Sequence, residues 1–418
     1  MQPPEIDELH SSGIGSALSV KCLTEHRNDG EAKTGLGRAL ATPGRFHIPS
    51  LDGLRAISFL MVFLAHAGLD RIVPGGFGVT VFFFLSGYLI TTLMRMEVSG
   101  TGHLNIKHFY LRRALRIFPP FYIVLTLGTL LGKIGLLRSE PAPQWMPVTA
   151  QALHISNYWI AEHGWKGIAS GTGVYWSLAV EEHFYVVFPA VFLLVGRLHL
   201  SGRQKAMCLW AACALVLVWR CALVFAWSAR VDRTYLCSDT RFDSILFGCA
   251  LAVWNNPIMD FDRPTSNRAI YRYGLVAAGV CLLLVTFVVR SSVFRETLRY
   301  TLQGIALTPI FVAAIRWPRW FLFRPLNWAP TKFIGTLTYS LYLVHQAVLA
   351  MIEQHMRWGP AARALVALPL SVVLAWTIYW FVEKPCARVR RRLSTAEPRG
   401  RPLARPRRLW AETQGQAP

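Results

Sequence analysis

Ten apolar windows of roughly 15 to 25 residues recur along this chain, at 53–70, 77–96, 118–137, 174–196, 207–228, 241–255, 271–289, 300–316, 332–354 and 362–382. Hydrocarbon offers no water to backbone amides, so each window must satisfy its own hydrogen bonds, and a helix does that within one segment. The chain is therefore expected to be all-α, a polytopic membrane bundle of about ten transmembrane helices. Composition agrees, because 53% of the residues are hydrophobic and only 16% are charged, too apolar a balance for a soluble domain. The stretch WMPVTAQALHISNYWI, from Trp145 to Ile160, is apolar but carries Gln, His and Asn, which marks it as re-entrant or interfacial.

The formal net charge of +21 raises the question of a nucleic-acid partner. The basic residues sit in short clusters between apolar windows, as they do in cytosolic loops, so no nucleic acid is expected. Counted in alternate loops, the set holding Arg112, Arg113 and Arg116 has nearly twice the Lys and Arg of the set holding Arg71, Arg290, Arg295 and Arg299. The richer set is expected to face the cytosol, which puts both termini inside and agrees with an even number of spans. Residues 1–49 lack the apolar core of a cleavable signal and are expected to be a disordered cytosolic tail, 50–385 the membrane domain, and 386–418 a basic Arg/Pro-rich tail. Eight cysteines lie singly with no C-x-x-C spacing, so neither a disulfide frame nor a metal site is expected.

Polar side chains inside these windows are costly in lipid, so each marks a partner, a cavity or a site. In the first window, Arg55 and His66 are eleven residues apart, which is about three helical turns and about 16 Å along one face. The fourth opens YWSLAVEEHFYVVFP, in which Ser177, Glu181 and Tyr185 form a polar stripe at i, i+4 and i+8. Counted from opposite ends, Glu181 and His66 fall at one depth, and a carboxylate beside an imidazole would suit general-base chemistry on a hydroxyl. A helix-pairing ion is the plainer reading of an isolated Glu. Ser86, Gly87 and Tyr88 in the second window read equally well as a close helix contact or as pocket lining. Tyr339 and His345 in TYSLYLVHQ add hydroxyl and imidazole to the ninth, and Arg113 and Arg116, three apart in RRALRIFPPFY, can face one anionic ligand.

Taken in order, LDGLRAI with its R-x10-H pair, GVTVFFFLSGYLI, RRALRIFPPFY, WSLAVEEHFY, TYSLYLVHQ and VEKP resemble the acyltransferase-3 family of integral membrane O-acyltransferases, over roughly residues 50 to 385. The resemblance implies a multi-pass protein of the bacterial inner membrane that acylates sugars of polysaccharides, lipid-linked sugars or macrolides. It implies acyl-CoA, most simply acetyl-CoA, as a donor substrate, with no permanently bound cofactor. It matches His66 to the catalytic histidine, Arg55 to its paired arginine, Arg113 and Arg116 to the donor motif, and Glu181 to a supporting acid. Thr80 and His183 depart from the family's usual acidic residue and Gln. The expected chemistry is removal of an acceptor hydroxyl proton by His66, oriented by Glu181 or another carboxylate, with Arg55 gripping the donor or stabilising the oxyanion; a route through an acylated enzyme residue stays open. The competing expectation is a proton-coupled transporter or an exporter of an acylated glycan, although no internal repeat is visible.

Overall fold

A computed structural model describes residues 49–138, 141–260, 270–356 and 358–395. The expected N-terminal tail lies outside the described residues up to Ile48, and so do the last residues of the basic C-terminal segment.

All ten windows form helices. Among the described residues, eight helices are long and apolar enough to cross a membrane. They are α1 (Pro49–Leu64, prolonged by a π-turn at Ala65–Leu69), α2 (Gly75–Thr101), α3 (Ile106–Lys133), α6 (Tyr175–Arg197), α7 (Gly202–Phe225), α12 (Leu298–Arg316), α13 (Ala329–His355) and α14 (Pro360–Ile378). Between them lie α4 (Trp145–Ala152), α5 (Ser156–His163), α8 (Val231–Leu236), α9 (Ser238–Val253), α10 (Val276–Val288) and α11 (Ser292–Glu296). A π-turn at Ile270–Leu275 leads into α10, and another, Tyr379–Glu383, joins α14 to α15 (Lys384–Thr395).

The sixth and seventh windows are the two that fall short. α9 has 16 residues and α10 has 13, because each is preceded by non-α structure rather than by a longer helix. The re-entrant reading of 145–160 is matched by α4 and α5, eight residues each and too short to span. α15 carries the helix to Thr395, so the start of the expected basic tail is helical and packs on α3.

Burial sorts the helices by role. α2 is the central one, with 78% of its apolar window buried, whereas only 17% of that of α7 is, leaving α7 to face lipid. α2 is that tightly held because glycines let backbones meet: a Cβ on Gly87 would stand 2.0 Å from the Ile245 carbonyl oxygen, and one on Gly248 would stand 2.0 Å from that of Phe84. This reciprocal contact brings α9 against α2. α1 is sealed to α13 in the same way, since a Cβ on Gly335 would meet the Asp52 carbonyl oxygen at 2.1 Å. α7, α9 and α12 are tied by a fully buried knot in which Arg220 donates to Asp243 at 2.7 Å, to the Thr240 carbonyl and to Thr301. A buried ion pair survives desolvation only when its remaining donors are also used, as they are here.

Candidate active site

Because α1 and α13 are in backbone contact, their polar residues meet. His66 lies in the π-turn that ends the first span, and π-turns often mark functional positions. Its Nδ1 is 3.0 Å from Nε2 of His345 on α13, with the rings stacked at 5.3 Å between centroids. His345 is fully buried, with Phe59 edge-on to its ring at 5.5 Å. Its own Nδ1 faces the carbonyl oxygens of Tyr342 at 2.9 Å and Leu341 at 3.2 Å. Carbonyl oxygens only accept, so Nδ1 of His345 carries the hydrogen. In neutral His345 the Nε2 lone pair then accepts from Nδ1–H of His66. That leaves Nε2 of His66 as the unprotonated nitrogen, and no described protein group bonds to it.

His66 is solvent-exposed on the wall of a cavity of about 710 Å³ that Tyr342, Trp176, Tyr235 and Tyr300 also line. A polar line leads from there into the bundle. Tyr342 shares a hydrogen bond with Ser177 at 2.7 Å, on the stripe read from the sequence of α6. One turn on, Glu181 accepts from Ser86 at 2.9 Å and from Tyr185, and Ser86 and Tyr185 are themselves joined.

Glu181 makes no hydrogen bond to His66, and it does not line the His66 cavity. Depth counting places two residues at a level along the bundle axis, but it does not give the direction of either side chain, and the π-turn carries His66 toward α13. The partner of His66 is the imidazole of His345. Ser86 and Gly87 divide the two readings of their segment, Ser86 turning to Glu181 and Gly87 to α9. Tyr88 faces away, donating to Asn256 at 3.0 Å, and so lines neither the cavity nor the Glu181 cluster.

At the other end of the line the arginines collect. The Arg113 guanidinium lies 5.3 Å from the Tyr185 ring and within electrostatic range of Glu182. Arg116 is exposed and acts electrostatically on Arg55, Glu181, Glu383 and Arg390. Arg55 is paired with Asp52 and lies near Tyr185, so it belongs to this end and not to that of His66. Tyr339 donates to the Ile117 carbonyl at 2.7 Å, fixing α13 to α3, the helix that carries Arg113 and Arg116.

Two contributors escaped the reading of residues alone. Tyr342 was legible only as one hydroxyl among several in its window. Glu383, in VEKP, sits in the π-turn after α14 and accepts from Ser340, and its signal was an acid directly after an apolar run.

The model of a known family, described as an acyltransferase domain, matches residues 48–380. The chain belongs to the acyltransferase-3 family. Among curated proteins it is 28% identical to a putative peptidoglycan O-acetyltransferase of Bacillus subtilis, over 81% of this chain and 55% of that protein. It is 27% identical to a peptidoglycan O-acetyltransferase of Listeria monocytogenes, over 82% of this chain and 56% of the relative. A putative O-acetyltransferase of Staphylococcus aureus is 28% identical, over 81% and 57% respectively. The chain thus spans about half the length of the curated relatives it matches. No solved structure matches it. The R-x10-H pair is split between the two ends of one polar line, its histidine at the cavity and its arginine near Arg116.

Proposed function

We propose that this acyltransferase-3 protein transfers an acyl group, most simply acetyl, from acyl-CoA to a hydroxyl of a sugar polymer, with Nε2 of His66 as general base. The observation that carries the reading is the hydrogen-bond order through His345, which presents the bare nitrogen of His66 to a cavity. Its relatives' names, which specify O-acetylation of peptidoglycan, support a cell-wall glycan as acceptor.

In this reading the donor's phosphates rest on Arg113 and Arg116 at the cytosolic face, with Arg55 beside them, and the thioester arm follows the polar line toward the cavity. The acceptor enters the cavity from the opposite face. Its hydroxyl oxygen attacks the thioester carbonyl as the proton passes to Nε2 of His66. The new C–O bond forms, the C–S bond breaks, and the imidazolium returns its proton to the leaving thiolate, giving free CoA thiol. His66 keeps its Nδ1–H bond to His345 throughout, so no ring flip is needed.

The test is transfer from radiolabelled acetyl-CoA to a soluble peptidoglycan fragment by the purified protein in detergent. Acylated fragment and stoichiometric CoA thiol are expected without any sealed compartment. Silence in detergent together with passage of acylated glycan across proteoliposomes would establish the transporter reading instead.

A further inference from the structure

The His66 cavity carries a charge that membrane sidedness does not explain. Arg71, Arg290, Arg295 and Arg299 all line it, contributed by the loop after α1, the end of α10 and the elements leading into α12. All four come from the loop set poorer in basic residues, where the positive-inside tendency removes arginine. Three other arginines of that set have acids to hold: Arg233 binds Asp239, Arg230 lies 3.9 Å from Asp232, and Arg363 binds Glu353 at 2.9 Å. Among the described residues, none of the four at the cavity has an ion pair. Asp70 is the one carboxylate in the lining, and it is bonded to none of them.

A second observation points the same way. Directly behind the aromatic wall lies Arg241, with no exposed surface. Its guanidinium sits 3.9 Å from the Tyr300 ring centre, 5.4 Å from that of Tyr235 and 5.9 Å from that of Trp176, all of them cavity residues. Its hydrogen bonds go to neutral oxygens, the Tyr235 carbonyl and the Thr80 hydroxyl, and its Nε has no partner. The acid that acts on it electrostatically, Asp243, is already paired with Arg220; a buried cation so weakly matched is costly, and an anion bound beyond the wall would offset part of that cost.

We infer that the acceptor taken by the His66 cavity is an acidic glycan, its carboxylate or phosphate groups held by Arg71, Arg290, Arg295 and Arg299. This rests on the reading of the cavity as the acceptor site. Guanidinium groups match both anions by paired N–H donors, so the shared chemistry is an oxyanion on a sugar chain. The aromatic residues of the wall supply flat apolar faces for the sugar rings, and the net positive field draws a polyanion to the mouth.

The test is binding to the full chain in detergent, with three probes: tetragalacturonic acid, its neutral tetramethyl ester, and a glycerol-phosphate oligomer. The expected result is at least tenfold tighter binding of one or both acids than of the ester, weakening as salt rises. Preference among the acids then separates carboxylate from phosphate. Arg290→Gln with Arg295→Gln, both exposed positions, should reduce acid binding at least tenfold without changing the melting temperature. Thr80→Asp, which gives Arg241 a carboxylate, should weaken acid binding severalfold. Equal binding of acid and ester, no binding of any probe, or insensitivity to the double substitution would overturn the inference. His66→Ala should bind the acids as the wild type does while failing to acylate, so loss of turnover there speaks to the acyltransfer reading alone.

Discussion

The two ends of the polar line treat their charges in opposite ways. At the Arg113 end, acids stand among the cations: Asp52 on Arg55, Glu182 near Arg113, and Glu383 near Arg116 and Arg390. At the His66 end, four arginines face a cavity whose one lining carboxylate, Asp70, pairs with none of them. The first arrangement suits a ligand that must come and go, since its cations are already partly satisfied when the site is empty. The second keeps its full attraction for an anion and leaves the imidazole free of any carboxylate. Under the proposed function, this difference puts donor handling at one end and the proton at the other.

The largest expected effect on substrate binding breaks the donor end. Arg113→Gln with Arg116→Gln should raise KM for acetyl-CoA by about a hundredfold or more, because each lost charge-assisted hydrogen bond is worth about 1.5–3 kcal/mol, roughly tenfold to a hundredfold, and two are lost together. Turnover at saturating donor should change far less, and steady-state kinetics will separate the two constants.

Next in size is the His pair. His345→Leu removes the acceptor for Nδ1–H of His66 and should lower kcat by about tenfold or more, with KM for the donor unchanged. His345→Gln, which can still offer an oxygen, should recover part of that loss. Equal loss in both variants would point to packing against Phe59 as the role of His345.

Smaller effects fall on packing alone. Gly248→Ala drives a Cβ into the Phe84 carbonyl and should cost about 1–3 kcal/mol, read as a lower melting temperature. Gly100→Ala, with nothing near its Cβ, should leave the melting temperature unchanged or raise it slightly. Tyr88→Phe should cost only about 1 kcal/mol through the lost bond to Asn256 and leave both kinetic constants alone.

Much of this was legible in the chain, for physical reasons that also mark where legibility stops. Hydropathy shows where helices run, so all ten windows are helical, and the polar stripe Ser177, Glu181 and Tyr185 follows from the period of one helix. The i, i+3 spacing of Arg113 and Arg116 likewise puts both on one turn. What one helix does not disclose is which neighbour its residues face. His66 and His345 are 279 residues apart, and only the glycine-mediated approach of α1 to α13 brings them together. The same limit hid the four cavity arginines, which look like scattered loop charges until the loops converge. Arg220, inside the fifth window, is silent in sequence because its partner Asp243 lies on another helix.

The most direct test measures turnover and donor affinity on the same detergent preparation of His66→Ala. The division of labour between the ends predicts that acyl transfer falls by about a hundredfold or more, the usual contribution of a general base, while acetyl-CoA binds as tightly as before. Near-normal transfer by this variant, or a loss of transfer fully accounted for by weaker donor binding, would contradict it.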